Sequence, residues 1–428
     1  MHRHGPTAPR GANPDFCAIF ALSLLLAAPA VAEPAARFVG DGAAPLAPAV
    51  RSLRVTRPEE PLRAEASNQS VKRGAAERGA RLPVFGARRG PGCSGRWFLV
   101  GPHAFVCEEG VEASDLPPLA LDAPARVTDQ GLPYEYYFVA KDGSFGYRGL
   151  EIAEEGIPDA QFQPGFGIAV TRVQSKSTGD AFALTSRGFW VPLRDLVPAR
   201  SVPFEGSAWS AELGWIVAEA APVFSAPGRR RAGVTLERLT TVSVLETRAL
   251  GGQRYARVGE HEWVREDAVR RPALAAPPPE ALPLERWIDI DLARQTVVAY
   301  VGSVPVFATL TSTGRGPVRS DARTPPGTFR LWIKLRSTDM DNLENVEADE
   351  NYAIEAVPWV MFFHKGYGLH GTFWHRRFGE VRSHGCVNLA PRDAERLFHW
   401  TSPRVFPGWS AAFPSAHEPG TLVRVRAE

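Results

Sequence analysis

Glycine and proline interrupt this chain at short intervals, 39 Gly and 38 Pro in 428 residues. Few uninterrupted stretches remain for long helices, so the punctuation favours short strands joined by turns. Between the breaks lie β-like runs with recurring aromatics. Pro83-Val-Phe-Gly-Ala87 is echoed by Pro222-Val-Phe-Ser-Ala226. Phe182 and Trp190, Tyr255 and Trp263, and Trp97 and Phe105 share one spacing of eight. An aromatic strand, a tight turn and a second aromatic strand make a β-hairpin.

Composition narrows the function. Hydrophobic residues are 44% and charged residues 22%, the mix of a globular protein. A formal charge of +2, from 49 basic and 47 acidic residues, argues against a nucleic-acid binder. At the N-terminus, Arg3 and Arg10 precede an uncharged apolar run from Phe16 to Ala28, and Ala30-Val31-Ala32 follows. This is the pattern of a cleavable export signal over residues 1–32. The run is shorter than the roughly 20 residues that span a bilayer. No other segment is long and apolar enough, so the expectation is export to the periplasm or cell envelope with no stable membrane span.

Residues 33–81, rich in Ala, Pro and Arg, read as a disordered tether whose Arg51, Arg54, Arg57, Lys72 and Arg73 keep it solvated. Residues 82–200 and 201–270 read as small β modules. Residues 271–283, with Pro277-Pro278-Pro279, form a semi-rigid linker. In the last region, 284–428, Trp287–Leu292, Thr296–Val301 and Val304–Leu310 alternate as strands of a β-meander, and Thr421–Val425 as a closing strand. Pro391–Trp400 reads as a helix, with proline in its first turn and Ala394, Leu397 and Phe398 on one face.

The four cysteines sort by position. Cys17 lies in the export signal. Cys93 and Cys107 are near enough for a local disulfide. Cys386 is left without a partner, and a free thiol in an exported protein calls for an explanation. It stands in the sequence Ser383-His384-Gly385-Cys386-Val387-Asn388, which begins twelve positions after Gly371 of His370-Gly371. Five of the ten histidines fall between His364 and His399. A thiol beside an imidazole can form a thiolate–imidazolium pair and attack a carbonyl. Glycine before the nucleophile admits a substrate backbone, and turn N–H groups can hold an oxyanion. A buried structural thiol, or zinc on His364, His370, His375 and His384, remain alternatives at this level.

His370-Gly371 with Ser383–Asn388 resembles the signature of the L,D-transpeptidase catalytic domain, the YkuD family. Thr324-Pro-Pro-Gly-Thr-Phe329 resembles the family's turn before the site, and the strands from Trp287 and Thr296 resemble its opening hairpin. The likeness covers about residues 284–427. The preceding aromatic hairpins resemble tandem SH3-like modules. The resemblance implies a mainly β chain: a C-terminal β-sandwich catalytic domain with short helices, preceded by small SH3-like β-barrels whose aromatics either form the barrel core or line a groove for a cell-wall ligand.

It further implies Cys386 as nucleophile and His370 as general base, oriented by a backbone carbonyl such as that of Gly371, with His384 as the rival base. Gly385 and Cys386 N–H groups would hold the oxyanion. Ser383, His384 and Asn388 would shape the pocket and Trp374 would line the substrate channel. The implied substrate is a peptidoglycan tetrapeptide stem, cross-linked 3→3, with no cofactor and no metal. Water as acceptor would make an L,D-carboxypeptidase, and a protein amine a wall-attachment enzyme. A non-catalytic wall-binding protein is the reading from another class. The acidic loop Asp339–Asn351 is expected to be a solvated loop, with a lid over the site as the alternative.

Overall fold

The computed structural model describes residues 38–39, 50–119, 128–200, 203–317, 320, 322–343 and 352–427. The expected export signal, and Glu344–Asn351 of the acidic loop, lie outside them. Residues from Ala36 to Glu428 form one compact unit. No helix among the described residues is long and apolar enough to cross a membrane.

The C-terminal region is a sandwich of two sheets. Its strands are β1 (Arg286–Asp291), β2 (Thr296–Val301), β3 (Val304–Leu310), β4 (Gly327–Arg330), β5 (Ile333–Asp341), β6 (Ala353–His364), β7 (Tyr367–Gly371), β8 (Val387–Leu389), β9 (Trp409–Ala412) and β10 (Leu422–Arg426). One sheet runs β3-β2-β1-β10-β4, with β1–β2–β3 the expected meander. The other joins β9, β5, β6, β7 and β8. Alternate residues face inward: Ile288, Ile290, Val297, Ala299, Val423 and Val425 from the first sheet meet Trp359, Met361, Phe363, Leu369, Val387 and Leu389 from the second.

The helix α1 (Pro391–Trp400) closes this core with Ala394, Leu397 and Phe398, the face its sequence spacing marks. Its C-terminal carbonyls receive a buried cation: Lys334 Nζ donates to Phe398 O and, at 2.8 Å, to Thr401 O. A positive charge there complements the helix dipole. Burial pushes the Lys334 ammonium down to about 7. The expectation of several short helices gives way to this one α-helix and three 3-10 turns among the described residues.

Those turns reveal the repeat. Three times a hairpin leads into a 3-10 turn and one more strand: Trp97–Gly101 with Ala104–Cys107, Ala181–Thr185 with Trp190–Pro192, and Gln253–Gly259 with Glu262–Arg265. The turns are Glu108–Gly110, Leu193–Asp195 and Glu266–Ala268. In each, an aromatic residue (Phe105, Trp190, Trp263) precedes a buried valine (Val106, Val191, Val264). No sheet of the described residues closes on itself, so closed barrels are not what these repeats form.

The repeats extend the sandwich. Lys72–Glu77 pairs with β9, and the first repeat's core incorporates Trp409 and Ala412. In the second, Gly167 pairs with Ile354 of β6, and Tyr136 packs on Phe373 at 4.1 Å between ring centroids. In the third, Ser207–Ala208 pairs with β3, and Trp215 shares a core with Trp287, Tyr300 and Phe378. The linker also lies on the C-terminal sandwich, where Ala276 O accepts from Arg424.

The expected disordered tether is corrected over its described residues 50–81. Ser52–Val55, Glu59–Arg63 and Lys72–Glu77 are strands, and Leu53, Val55, Leu62, Ala75 and Ala76 are buried. Their apolar partners come from Trp97–Cys107 and from β9, far along the chain, so local composition under-reported them. Arg73, expected to be solvated, is 2% exposed. It pairs with Glu418, donates to Phe413 O at 2.5 Å and stacks over Trp409.

Candidate active site

The second sheet brings the site residues together. Strands β7 and β8 run parallel, with Leu369 opposite Val387, His370 opposite Asn388 and Gly371 opposite Leu389. Leu369 and Val387 are fully buried in the core, so His370 and Asn388 project from the other face. Cys386 immediately precedes β8, one strand away from His370 and diagonal to it.

The turn that presents Cys386 is braced from three directions. Ser383 Oγ accepts from Gly385 N at 3.1 Å and donates to Cys386 O. Thr324 Oγ1 donates to Gly385 O at 2.6 Å and accepts from Gly314 N at 2.9 Å. Arg315 N donates to Ser383 O at 2.9 Å. Gly385 sits at φ +129, where a side chain is strained. The Gly385 N–H is thus engaged by Ser383. The positive φ makes the glycine a conformational requirement of the turn.

Cys386 Sγ lies 3.6 Å from Gly366 O and accepts from the Gly368 N–H. Burial pushes the thiol up, and the Gly368 hydrogen bond partly opposes it. His370 is 2% exposed. Burial holds its imidazole down at about 4, against a hydrogen bond to the Gly371 carbonyl. His370 Nδ1 donates to that carbonyl at 3.2 Å, which leaves Nε2 as the free lone pair. Among the described residues no hydrogen bond joins Sγ to the imidazole. Both shifts favour the uncharged thiol and the uncharged imidazole over an ion pair.

Trp374 stacks on the His370 ring at 5.7 Å and is half-buried. His384 is exposed; its Nε2 lies 3.0 Å from Arg315 Nη2, and its ring stacks on Tyr352. Asn388 Nδ2 lies 3.0 Å from His375 Nε2, and the Asn388 carbonyl accepts from Thr311 Oγ1. His364 stacks between Phe329 and Tyr367. The four histidines of the zinc alternative thus face separate partners. The metal-like grouping among the described residues is Cys93, Cys107 and Glu109, and those sulfurs form a disulfide with Cα atoms 5.7 Å apart.

Sequence reading passed over Tyr352 and Arg315. Tyr352 is half-buried; burial first, then the charges of Cys386 and Asp341, pushes its hydroxyl up. Arg315 follows Gly314 in the stretch Ser312–Gly314 that bridges to Asn388 and Ser383. Neither occupies a motif that singles it out locally.

The sandwich, the paired β7 and β8 and the turn before β8 set one thiol beside the strand of a buried imidazole. Residues 285–425 match the family model of YkuD, the L,D-transpeptidase catalytic domain, and this C-terminal third of the protein is such a domain. No curated protein matches the chain. Solved structures similar to it include an L,D-transpeptidase of Enterococcus faecium, 23% identical over 33% of this chain and 50% of that one, with a TM-score of 0.25. Mycobacterium tuberculosis L,D-transpeptidase 1 is 20% identical over 33% and 61%, TM-score 0.24. An L,D-transpeptidase from Mycobacterium smegmatis is 14% identical over 61% and 99%, TM-score 0.27. The matched region spans about half the length of the Enterococcus faecium chain.

Proposed function

We propose that this protein is an exported peptidoglycan L,D-transpeptidase that forms 3→3 cross-links through a Cys386 thioester. The observation that carries the reading is Cys386, on a braced turn beside the strand of His370, within the matched domain. His370 Nε2 takes the thiol proton as Sγ attacks the carbonyl of the stem's third residue. The oxyanion is held by the Cys386 N–H. The C–N bond to the terminal D-alanine breaks as the imidazolium returns its proton to the leaving amine. A second stem's amine then attacks the thioester, and the thiol is regenerated.

The low basicity of His370 suits this sequence. A weakly basic imidazole takes the proton only as the S–C bond forms, and its conjugate acid is strong enough to protonate an amine. The three hairpin–turn–strand repeats act as docking elements for the wall. The basic–apolar–alanine pattern at the N-terminus supports export.

The test is incubation with disaccharide-tetrapeptide followed by mass analysis of the muropeptides. The proposal expects D-alanine release and 3→3 dimers, both lost in Cys386→Ala. Tripeptide without dimers would assign a carboxypeptidase instead. Unchanged products from Cys386→Ala would overturn the mechanism.

A further inference from the structure

The twelve residues Thr372–Ser383 connect the strand of the base to the turn of the nucleophile. This loop has little regular structure of its own, yet its backbone is held by a side chain from the third repeat. Arg238 follows the strand Arg229–Glu237, and its side chain is 1% exposed. Its Nη2 donates to Phe378 O at 2.8 Å and its Nε to Arg376 O at 3.3 Å. Nη1 donates to Val217 O of its own repeat and lies 2.9 Å from Glu380. One guanidinium therefore ties two loop carbonyls and a loop carboxylate to the repeat. Glu219 adds to the charge balance, accepting from Arg377 Nη1 at 2.7 Å.

The surroundings leave the loop few alternatives. Phe378 is buried among Phe204, Trp215 and Val217. Gly379 sits at φ +92, and a Cβ there would lie 2.6 Å from Val217 Cγ1. Its N–H donates to Thr311 O at 2.8 Å. Side chains of the repeat, Arg238 and Val217, thus meet the backbone of the loop.

The hold leads to the site through short contacts. Arg377 N donates to His375 Nδ1 at 3.2 Å, and His375 Nε2 lies 3.0 Å from the Asn388 amide. Arg377 O accepts from Ser312 Oγ at 2.7 Å, and Ser312 exchanges both backbone hydrogen bonds with Asn388. Asn388 pairs with His370 and lies two residues beyond Cys386.

We infer that Arg238 is a positioning residue for the acyl-transfer reaction, setting the loop between His370 and Cys386 so that the two strands hold thiol and imidazole in register. The inference rests on the reading of Cys386 and His370 as nucleophile and base. Arginine is required because a planar fork can address several carbonyls at once, whereas a lysine ammonium on a flexible stem cannot reproduce that geometry. The repeat thereby contributes to the reaction without touching the substrate.

The experiment compares Arg238→Ala and Arg238→Lys in the full chain with Val223→Ala, a core truncation of the same repeat away from the loop. Two readouts are taken: kcat and KM for D-alanine release from the tetrapeptide, and the pH profile of Cys386 alkylation by iodoacetamide, located by peptide mass. A misplacement of about 1 Å costs about a hundredfold in rate. Arg238→Ala is therefore expected to lower kcat by about that factor with KM little changed, and to displace the alkylation profile. Arg238→Lys should fall between it and the parent, and it reads the same quantities if the alanine variant folds poorly. Val223→Ala should lower thermal stability while leaving both readouts at the parent's values. If the Arg238 variants match Val223→Ala in both readouts, the inference is overturned. If the parent releases no D-alanine but the Arg238 variants still displace the alkylation profile, the transpeptidase reading fails and the positioning role stands.

Discussion

Replacing Glu355 by glutamine isolates one charge buried between the second repeat and β6. Glu355 is 5% exposed. Its Oε2 accepts from Ser186 Oγ at 3.2 Å and Ala169 N at 3.4 Å, and its Oε1 is buried without a partner. Burial first, then the negative charge of Asp339, pushes the carboxyl from 4.5 up to about 7. A tenfold change in proton affinity corresponds to about 1.4 kcal/mol, so the charged form costs the fold roughly 3 kcal/mol. The carboxyl is raised, so the folded state binds the extra proton between about pH 4.5 and 7. The contribution to stability is therefore intact below that window and is lost as pH rises through it.

Asp393 is also raised to about 7, while Lys334 is lowered to about 7 and His370 and His375 to about 4, so the absolute pH curve is a composite. The difference between parent and Glu355→Gln removes what the two proteins share. Urea unfolding followed by tryptophan fluorescence at pH 5 and pH 8 measures it. The variant should gain roughly 3 kcal/mol relative to the parent on going from pH 5 to pH 8. A parent–variant difference equal at the two pH values would refute the idea that Glu355 charges inside the fold.

Three further outcomes follow from the geometry. Cys386 alkylation should rise about tenfold per pH unit between pH 6 and 8, because the thiol is raised and His370 is already neutral there; a flat rate would mean a preformed ion pair. Replacing both Cys93 and Cys107 by alanine opens a loop of sequence separation 14, which should cost roughly 3 kcal/mol in unfolding experiments while iodoacetamide still reacts at Cys386. Arg73→Ala strands Glu418 and the Phe413 carbonyl and should cost about 3 kcal/mol by the same measurement; Arg73→Met with Glu418→Gln should recover most of it, and equal losses in the two would discount the ion pair.

What the sequence disclosed was local. Strands β2 and β3 and the helix α1 have the bounds their periodicity indicates, because alternation and the 3.6-residue repeat are read within a few residues. The aromatic spacing of eight marks real hairpins for the same reason. His370 and Cys386 were legible because they sit in one dense motif. The hydrogen bond of the Gly385 amide to the Ser383 hydroxyl was not legible, because the hydroxyl takes a direction no spacing encodes.

The larger errors have one physical origin: pairing at a distance. Lys72–Glu77 looks like a soluble tether until β9 is set beside it, and Arg73 looks solvated until Glu418 and Trp409 enclose it. Tyr352 and Arg315 reach the site through contacts set by the fold, Tyr352 by its ring on His384 and Arg315 by His384 and the Ser383 carbonyl. Tandem modules in sequence imply beads on a string, each with its own core. Here each repeat instead completes its core with catalytic-domain residues: Trp409 for the first, Ile354 and Phe373 for the second, Trp287 and Phe378 for the third. A core shared in this way cannot be divided without exposing apolar surface on both sides. The repeats therefore act as walls of the catalytic sandwich before they act as anything else, and a change inside one of them is expected to reach His370 and Cys386 only where it disturbs the contacts to the loop, as at Arg238.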